Sequence, residues 1–362
     1  MFFDQPAQIM ARLRSRGVPN APVPPAKMIN IGGRPVLLAK PRPSKPQAQT
    51  RHARIYSIQI ALAFAAIYVV WGSTYLAIRY AVETIPPLVT AGVRHSVAGM
   101  IMLAWAWARG FRPTRAHWIS GSIVGALFFL IGHGSLHWAE QYVGSGLAAL
   151  LVATEPMFIV VLAWTMGQKI SRLSALGLAL GVLGVAMLTG AELTTKGSSW
   201  LGLVAVLVGS VSWAGGVVIA PKLNLPNDAL GRTAVPLLCG AVMLLAAAGI
   251  TGEFHAVHWA SISVKSILGL AYLIVFGSVV AFTAYTWLLQ RCPPALVATH
   301  TYANPVVAVF LGWLLASERL SISVVLASVA ILGAIVLIRK GEQTTAPPVP
   351  VRVRGEVRSE CA

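Results

Sequence analysis

SGLAALLVATEPMFIVVLAW, residues 145–164, sets an acid and a proline side by side inside a run otherwise fit for hydrocarbon. Glu155 is costly at such a depth, and Pro156 removes a backbone donor and disfavours helix at the residue before it. A break or kink is therefore expected at Glu155–Pro156. Freed backbone groups at membrane depth are tolerated where they are re-satisfied or line a cavity. The second half repeats the pattern in PALVATHTYANPVVAVFLGW, residues 294–313, with Asn304 and Pro305 in the matching places.

Around these stretches the chain is 362 residues long, 56% hydrophobic and only 11% charged, with a mean hydropathy of +0.73. A soluble domain carries about 25% charged residues, so most of this chain is solvated by lipid. A spanning helix needs roughly 20 apolar residues. Ten candidates are predicted at 56–77, 88–108, 118–138, 145–166, 173–191, 200–220, 234–251, 266–289, 295–316 and 321–338. Residues 1–54 are rich in proline and arginine, lack a signal-peptide apolar core near the start, and read as a disordered basic cytoplasmic tail. Residues 340–362 read as a cytoplasmic C-terminal tail.

The net charge of +17 lies mostly in these tails. Lys/Arg-rich flanks fit the positive-inside rule and anionic headgroups better than nucleic acid, because no folded basic motif is present. With the N-terminus inside, cytoplasmic loops hold Arg109, Arg112, Arg115, Lys169, Arg172, Lys222, Arg232 and Arg291. Outer loops hold Arg79, Lys196, Lys265 and Arg319 with several glutamates. Both termini are thus expected in the cytoplasm. The three cysteines lack metal-ligand spacing, and no ATP-binding Gly-Lys-Ser/Thr loop occurs.

Ten helices split into five and five. Leu147 aligns with Leu296, Ala149 with Ala298, Pro156 with Pro305 and Trp138 with Trp287 at one constant offset. Trp71 of the first helix has a partner in Trp213 of the sixth. Five is odd, so the second copy must run inverted through the membrane. Inverted repeats mark secondary transporters, with the site near the midplane. The expected fold is an all-α membrane protein of ten transmembrane helices in two inverted five-helix repeats, over 55–192 and 200–339.

The stretch YVVWGSTYLAIRYAVETIPPLVTAGVRHSVAG (68–99) resembles the start of EamA-like proteins of the drug/metabolite transporter superfamily. The repeated proline motifs, with NPVVAVFLGWLLASERLS at 304–321, resemble the fourth and fifth helices of that module. The resemblance covers roughly residues 60 to 338. It implies an exporter of amino acids, metabolites or drug-like solutes in the bacterial inner membrane, with a cavity lined by helices 1, 3, 4, 6, 8 and 9. It also implies an arginine at the place of Arg94. One departure is that the first module ends its fourth helix in Gly167-Gln168-Lys169, where the family has Gly-Glu; the second keeps Glu318.

Glu155 is the one acid placed deep in a span and is the proton-coupling candidate. His300 and Asn304, four apart and so on one face, are set against it by the repeat. Tyr302 lies off that face and is kept as a cavity candidate. GHGSLHWAEQY (132–142) places His133 and His137 four apart with Glu140 one turn on. That spacing is compatible with a metal, but histidines in a span more often line a wet path, so no metal or other cofactor is assigned. Trp71, Trp138, Trp213 and Trp287 are read as cavity residues, with Ser73, Thr74 and Tyr285 beside them. Arg94, Pro156 and Pro305 are read as structural, Arg94 by snorkelling or by pairing with Glu83. Trp105, Trp107, Trp118, Trp164, Trp200 and Trp259 are expected in the interfacial belt.

The function expected is secondary transport of a small solute, cationic or zwitterionic where it meets Glu155. The partners are that solute and the bilayer; pairing with a second copy stays open. The alternatives are a membrane-embedded metal-dependent enzyme, for which HGSLHWAE offers no nucleophile set, and a scaffold without transport, which leaves the repeat unexplained.

Overall fold

The computed structural model describes residues 27–31, 34–38, 46–167, 169–193, 199–289, 291–292, 297, 299–318 and 321–345. The expectations for Gln168, for residues 1–26 and for the C-terminal tail beyond 345 lie outside these. Two units are distinguished, 1–54 and 55–362.

In the first unit, β1 (Lys27–Ile31) pairs antiparallel with β2 (Arg34–Leu38), Met28 opposite Leu37 and Ile29 opposite Val36. This differs from the disorder expected over 1–54. The composition argument averaged over the prolines and missed two short apolar runs, KMINI and RPVLL, separated in sequence by Gly32-Gly33. Two glycines between such runs are a hairpin signal. Helix also begins earlier than expected, at Pro46.

Eight helical segments among the described residues are long and apolar enough to cross a membrane. They are α1 (Tyr56–Ala81), α2 (Pro87–Ala108), α3 (Arg115–Ala139), α4 (Ser145–Thr165), α6 (Trp200–Lys222), α7 (Ala229–Ile250), α8 (Val264–Leu289) and α10 (Ile322–Thr345, spanning to Gly341). Two further apolar stretches are shorter by the same measure: Arg172–Met187 within α5 (Arg172–Leu193), and α9 (His300–Ala316).

The helix starts follow local chemistry. Thr114 and His117 form a capping box at α3, Asp228 caps α7 through the Gly231 amide, and Ser263 caps α8. Pro86 and Pro87 open α2, whose first free amides, those of Leu88 and Val89, donate to Glu253 at 2.8 and 3.2 Å. Burial pushes the Glu253 carboxyl up, against the pull of those two amides.

Three helices contain wide π turns: α1 at Ala66–Val70, α3 at Ala126–His133 and α8 at Leu273–Val280. Such turns are rare and concentrate at functional sites. The expected break in α4 is present. One helical segment ends at Val152, Ala153 and Thr154 form a turn, and a second starts at Glu155 with Pro156 in its first turn.

The most extensive pairings join α5 to α10 and α2 to α7. On the α5–α10 seam a Cβ at Gly177 would meet the Ala334 carbonyl at 2.8 Å, so backbones touch where a side chain would part them. Between them, α6 packs on α3 and α4, and α9 packs on α1 and α4. Leu176, Val182, Leu183, Ile322 and Val329 point outward, exposed. Arg94, His95, His137 and Glu140 are buried inside. Apolar outside and polar inside is the arrangement lipid selects. Trp105, Trp107, Trp164, Trp200 and Trp259 are exposed as well, as a belt requires.

Candidate functional site

A cavity of about 750 Å³ runs through the middle of the bundle. Trp71 and Thr74 of α1, His133 of α3, Glu155 and Pro156 of α4, and Trp213 of α6 line it, as do Tyr285 of α8 and His300, Asn304 and Pro305 of α9. Both halves of the chain therefore contribute, and eleven residues named from sequence, Arg94 included, meet at one place. The break at Ala153–Thr154 explains Glu155. A residue that starts a helix has a free amide rather than a spent one, and the positive helix end favours its carboxylate.

Aromatic rings build the walls. Trp71 sits 4.9 Å from His300, 5.2 Å from Tyr285 and 5.4 Å from Phe282, centroid to centroid, and its Nε1 donates to the Gly277 carbonyl at 3.2 Å. Trp213 stacks on Phe128 at 4.3 Å and on His133 at 5.1 Å. His300 Nδ1 bonds the Val297 carbonyl at 2.9 Å, while Asn304 Oδ1 is buried with no hydrogen-bond partner among the described residues.

Arg94 corrects the sequence reading. It does not pair with Glu83, which Lys265 holds at 2.7 Å. Arg94 is buried instead, its Nε donating to Ser278 Oγ at 3.1 Å, and it lines the cavity. Gly277 makes this possible, since a Cβ there would stand 2.8 Å from Thr74 Cγ2 and 3.4 Å from Arg94 Nη2. Arg232 and Arg339 also line the cavity, so three guanidinium groups face one carboxyl, Glu155. Sequence reasoning had assigned Arg232 to a loop and Arg339 to the charged C-terminal flank. Their positions at the start of α7 and near the end of α10 were visible, but not that both turn toward the cavity.

Five expected residues lie off the cavity lining. Ser73 donates to the Val70 carbonyl and pairs with Tyr272 at 2.7 Å. Trp138 packs on Tyr142, Trp287 packs on Tyr56 and under the Arg291 guanidinium, and Tyr302 packs against the core between α1, α4 and α10. His137 is wholly buried, one turn beyond His133. In each case the side chain lies on a helix face turned away from the cavity.

His137 belongs to a second polar group. His133 Nδ1 and His95 Nε2 share a hydrogen bond of 2.9 Å, and the two rings stack at 4.9 Å. His137 Nδ1 bonds the His133 carbonyl at 2.7 Å. His95 was missed from sequence because its neighbour Arg94 drew the attention. Beyond it, near the start of α4, Glu140 is buried, and burial together with the Glu318 carboxylate pushes its carboxyl well above the usual range, against Arg79. Glu318 accepts from the Ser145 amide at 2.6 Å, the Ser145 hydroxyl at 2.8 Å and the Gly146 amide at 3.0 Å, so the end of α9 caps α4. Left-handed Ser317 (φ 54°) turns Glu318 back, its amide donating to the Gly312 carbonyl at 3.0 Å.

An apolar helical bundle around an aromatic cavity with a few charged groups defines a membrane transport protein rather than a soluble binder. The EamA-like transporter family profile matches residues 58–190 and again 200–340. The chain is 38% identical over 302 residues to the "uncharacterized inner membrane transporter YedA" of Escherichia coli strain K12, covering 82% of this chain and 96% of that one. It is 27% identical to the "uncharacterized transporter YoaV" of Bacillus subtilis, over 76% of this chain and 94% of the relative. A solved structure described as "crystal structure of protein" superposes with a TM-score of 0.52 at 20% identity, over 77% of this chain and 96% of the other. The chain belongs to the EamA-like transporter family, and its general role is that of a membrane transporter.

Proposed function

We propose that this protein is a secondary transporter of small amphipathic zwitterions, amino acids being the nearest class, in the bacterial inner membrane. The observation that carries the reading is the shared cavity. Arg94 and Glu155 face it from the first half, aromatic rings wall it from both halves, and its volume suits such a solute. A carboxylate end would meet Arg94 and an ammonium end Glu155, leaving the apolar part against Trp71, Trp213 and Phe282. The sequence alone allowed a cationic or a zwitterionic solute. Three arginines against one acid favour the zwitterion, since a bare cation would face net repulsion.

Ten crossings in two inverted repeats remain the architecture we favour. Its supports are the double family match, the eight-residue π turns in both α3 and α8, and the pairing of α2 with α7 and α5 with α10. The loop charges put both termini in the cytoplasm. The cavity lining extends through Ala220, Asn227 and Arg232 at the end those charges assign to the cytoplasm, so we take this conformation as inward-facing and export as the direction. Protonation of Glu155 on one side and its loss on the other would couple solute exit to proton entry.

The test is counterflow of labelled phenylalanine into proteoliposomes preloaded with unlabelled phenylalanine. Uptake that saturates, and that falls at least tenfold in Arg94→Gln, supports the reading. Uptake no faster than in protein-free vesicles, repeated with alanine and lysine, would exclude amino acids as the substrate class.

A further inference from the structure

We propose that His133, His95, His137 and Glu140 form a proton wire from the cavity to the Glu318 end of the bundle, closed by water between the histidines and Glu140. The wire builds on the transport reading above but uses none of the groups assigned to the solute except His133, its cavity terminus.

Four buried polar atoms carry the argument. His95 Nδ1, His137 Nε2 and both carboxyl oxygens of Glu140 are buried without a hydrogen-bond partner among the described residues. A native fold leaves few such atoms, and a cluster of them calls for a bridging group. The tautomers follow from the partners that are present. His137 Nδ1 faces a carbonyl, so it carries the hydrogen, and Nε2 is left as an acceptor. The His95–His133 bond admits either tautomer, and the wire uses the one in which His95 Nε2–H donates to His133 Nδ1, which leaves His95 Nδ1 as an acceptor. Glu140, buried with the Arg79 amide the only backbone group among the described residues close enough to favour its charged form, is held as the neutral acid, a donor. Two acceptors and one donor are what a water molecule satisfies, giving two hydrogens and taking one. Buried waters make two to four such bonds. The His95 and His137 rings are 6.5 Å apart, too far for a direct bond and suited to one intervening water. His133, His137 and Glu140 fall on one face of the end of α3, about 10 Å from first to last along the axis.

The surroundings suit a path rather than a metal. No group of three His, Cys, Asp or Glu among the described residues has the geometry to hold a metal ion. Tyr75 and Arg79 face the group from α1, Arg94 from α2 and Glu318 from the end of α9, with Glu155 of α4 near Tyr75; α6 and α7 present Trp213 and Leu244.

One transfer runs as follows. The Glu140 O–H bond breaks as its proton goes to the water, and the water passes a different proton to His95 Nδ1. His95 then releases its Nε2 proton to His133 Nδ1, and His133 releases its Nε2 proton into the cavity. His137 Nε2 holds the water in place and is an alternative stop for the proton. Glu140 is left as carboxylate and regains a proton from the Glu318 end. One pass leaves His95 and His133 each with its hydrogen on Nδ1, so both rings must return to the Nε2–H tautomer, by turning or by exchange through water, before the next proton follows.

The experiment uses proteoliposomes with pyranine inside and valinomycin with potassium to clamp the voltage. An outside acid step should drive proton entry well above the protein-free rate. Glu140→Gln and His137→Gln should each lower that entry at least tenfold. Phenylalanine counterflow at equal pH on both sides should stay within twofold of wild type. Difference infrared spectra should lose one protonated-carboxyl C=O stretch in Glu140→Gln. Proton entry within twofold of wild type in Glu140→Gln, or wild-type entry at the protein-free rate, would overturn the wire. An unchanged carboxyl band would overturn it too. Should His137→Gln not yield folded protein, Glu140→Gln, which changes one atom, decides alone. Wild-type proton entry without counterflow would reject the transport reading and leave the wire standing.

Discussion

In α4 the helix stops at Val152, turns, and restarts at Glu155 with Pro156 second in line; in α9 it runs from His300 through Asn304 and Pro305 to Ala316 without a stop. The same proline, at matching places in the repeat, is a helix starter in one copy and an interior residue in the other. At a helix start the missing N–H is one that would be free anyway. In an interior proline brings no N–H to the helix ladder and its ring crowds the turn before it. The difference traces to what holds the upstream segment. Glu318 binds the first amides of α4 and fixes Ser145–Val152, so the chain must turn to bring Glu155 to the cavity.

The largest expected effect removes that clamp. Glu318→Ala takes away three hydrogen bonds to the start of α4 and should destabilise the folded protein by about 2 kcal/mol, read as lost thermal stability in detergent. A change no larger than that of a surface glutamate would mean the α4 break is set elsewhere.

Next comes the acid itself. Glu155→Gln should insert and fold normally and lose the pH dependence of exchange by tenfold or more, about 1.4 kcal/mol, while retaining exchange at the wild-type optimum. An unchanged pH profile would leave Glu155 as a structural plug.

The prolines test the contrast directly. Pro305→Ala restores an interior hydrogen bond and should raise stability by about 1 kcal/mol, whereas Pro156→Ala should leave it within about 0.5 kcal/mol. Equal effects from the two substitutions would dissolve the comparison.

Where the two regions meet, Glu140 gives a smaller, pH-dependent effect. An unfolded glutamate ionises near pH 4.3. Burial holds the folded carboxyl neutral to higher pH, so its stabilising contribution is present below about pH 4.3 and is lost as pH rises through the folded value. Melting curves of wild type should therefore fall with rising pH across that window more steeply than those of Glu140→Gln.

The smallest effect is Asn304→Ala, which should raise the KM for exchange about threefold, roughly 0.6 kcal/mol, without touching its pH profile. A shifted profile would make Asn304 part of the coupling.

Hydropathy and the repeated proline motif made the helices and the α4 break legible before any coordinates. Both are properties of the local chain: twenty apolar residues, or a proline after an acid, act within one turn. Faces were harder. Trp138 and Trp287 turn away from the cavity, because the rotation of a helix is set by the neighbours it packs on. The π turns in α1, α3 and α8 shift that rotation within a single helix, and nothing in ALFFLIGH or LIVFGSVV announces them. Arg94 was assigned to Glu83 by nearness along the chain. Its partner Ser278 is far along the chain, and that contact exists only once α2 and α8 pack.

Arg232 is exposed at one end of the cavity, with Arg339 on the same wall. If the solute is the zwitterion proposed above, the exposed Arg232, bordered by low-dielectric helices, would gather field lines and draw in its carboxylate end faster than diffusion alone would deliver it. The capture rate would then depend on ionic strength while the grip inside did not, because the interior is shielded from salt by the bundle. Loading, rather than crossing, becomes the step that responds to the composition of the surrounding fluid.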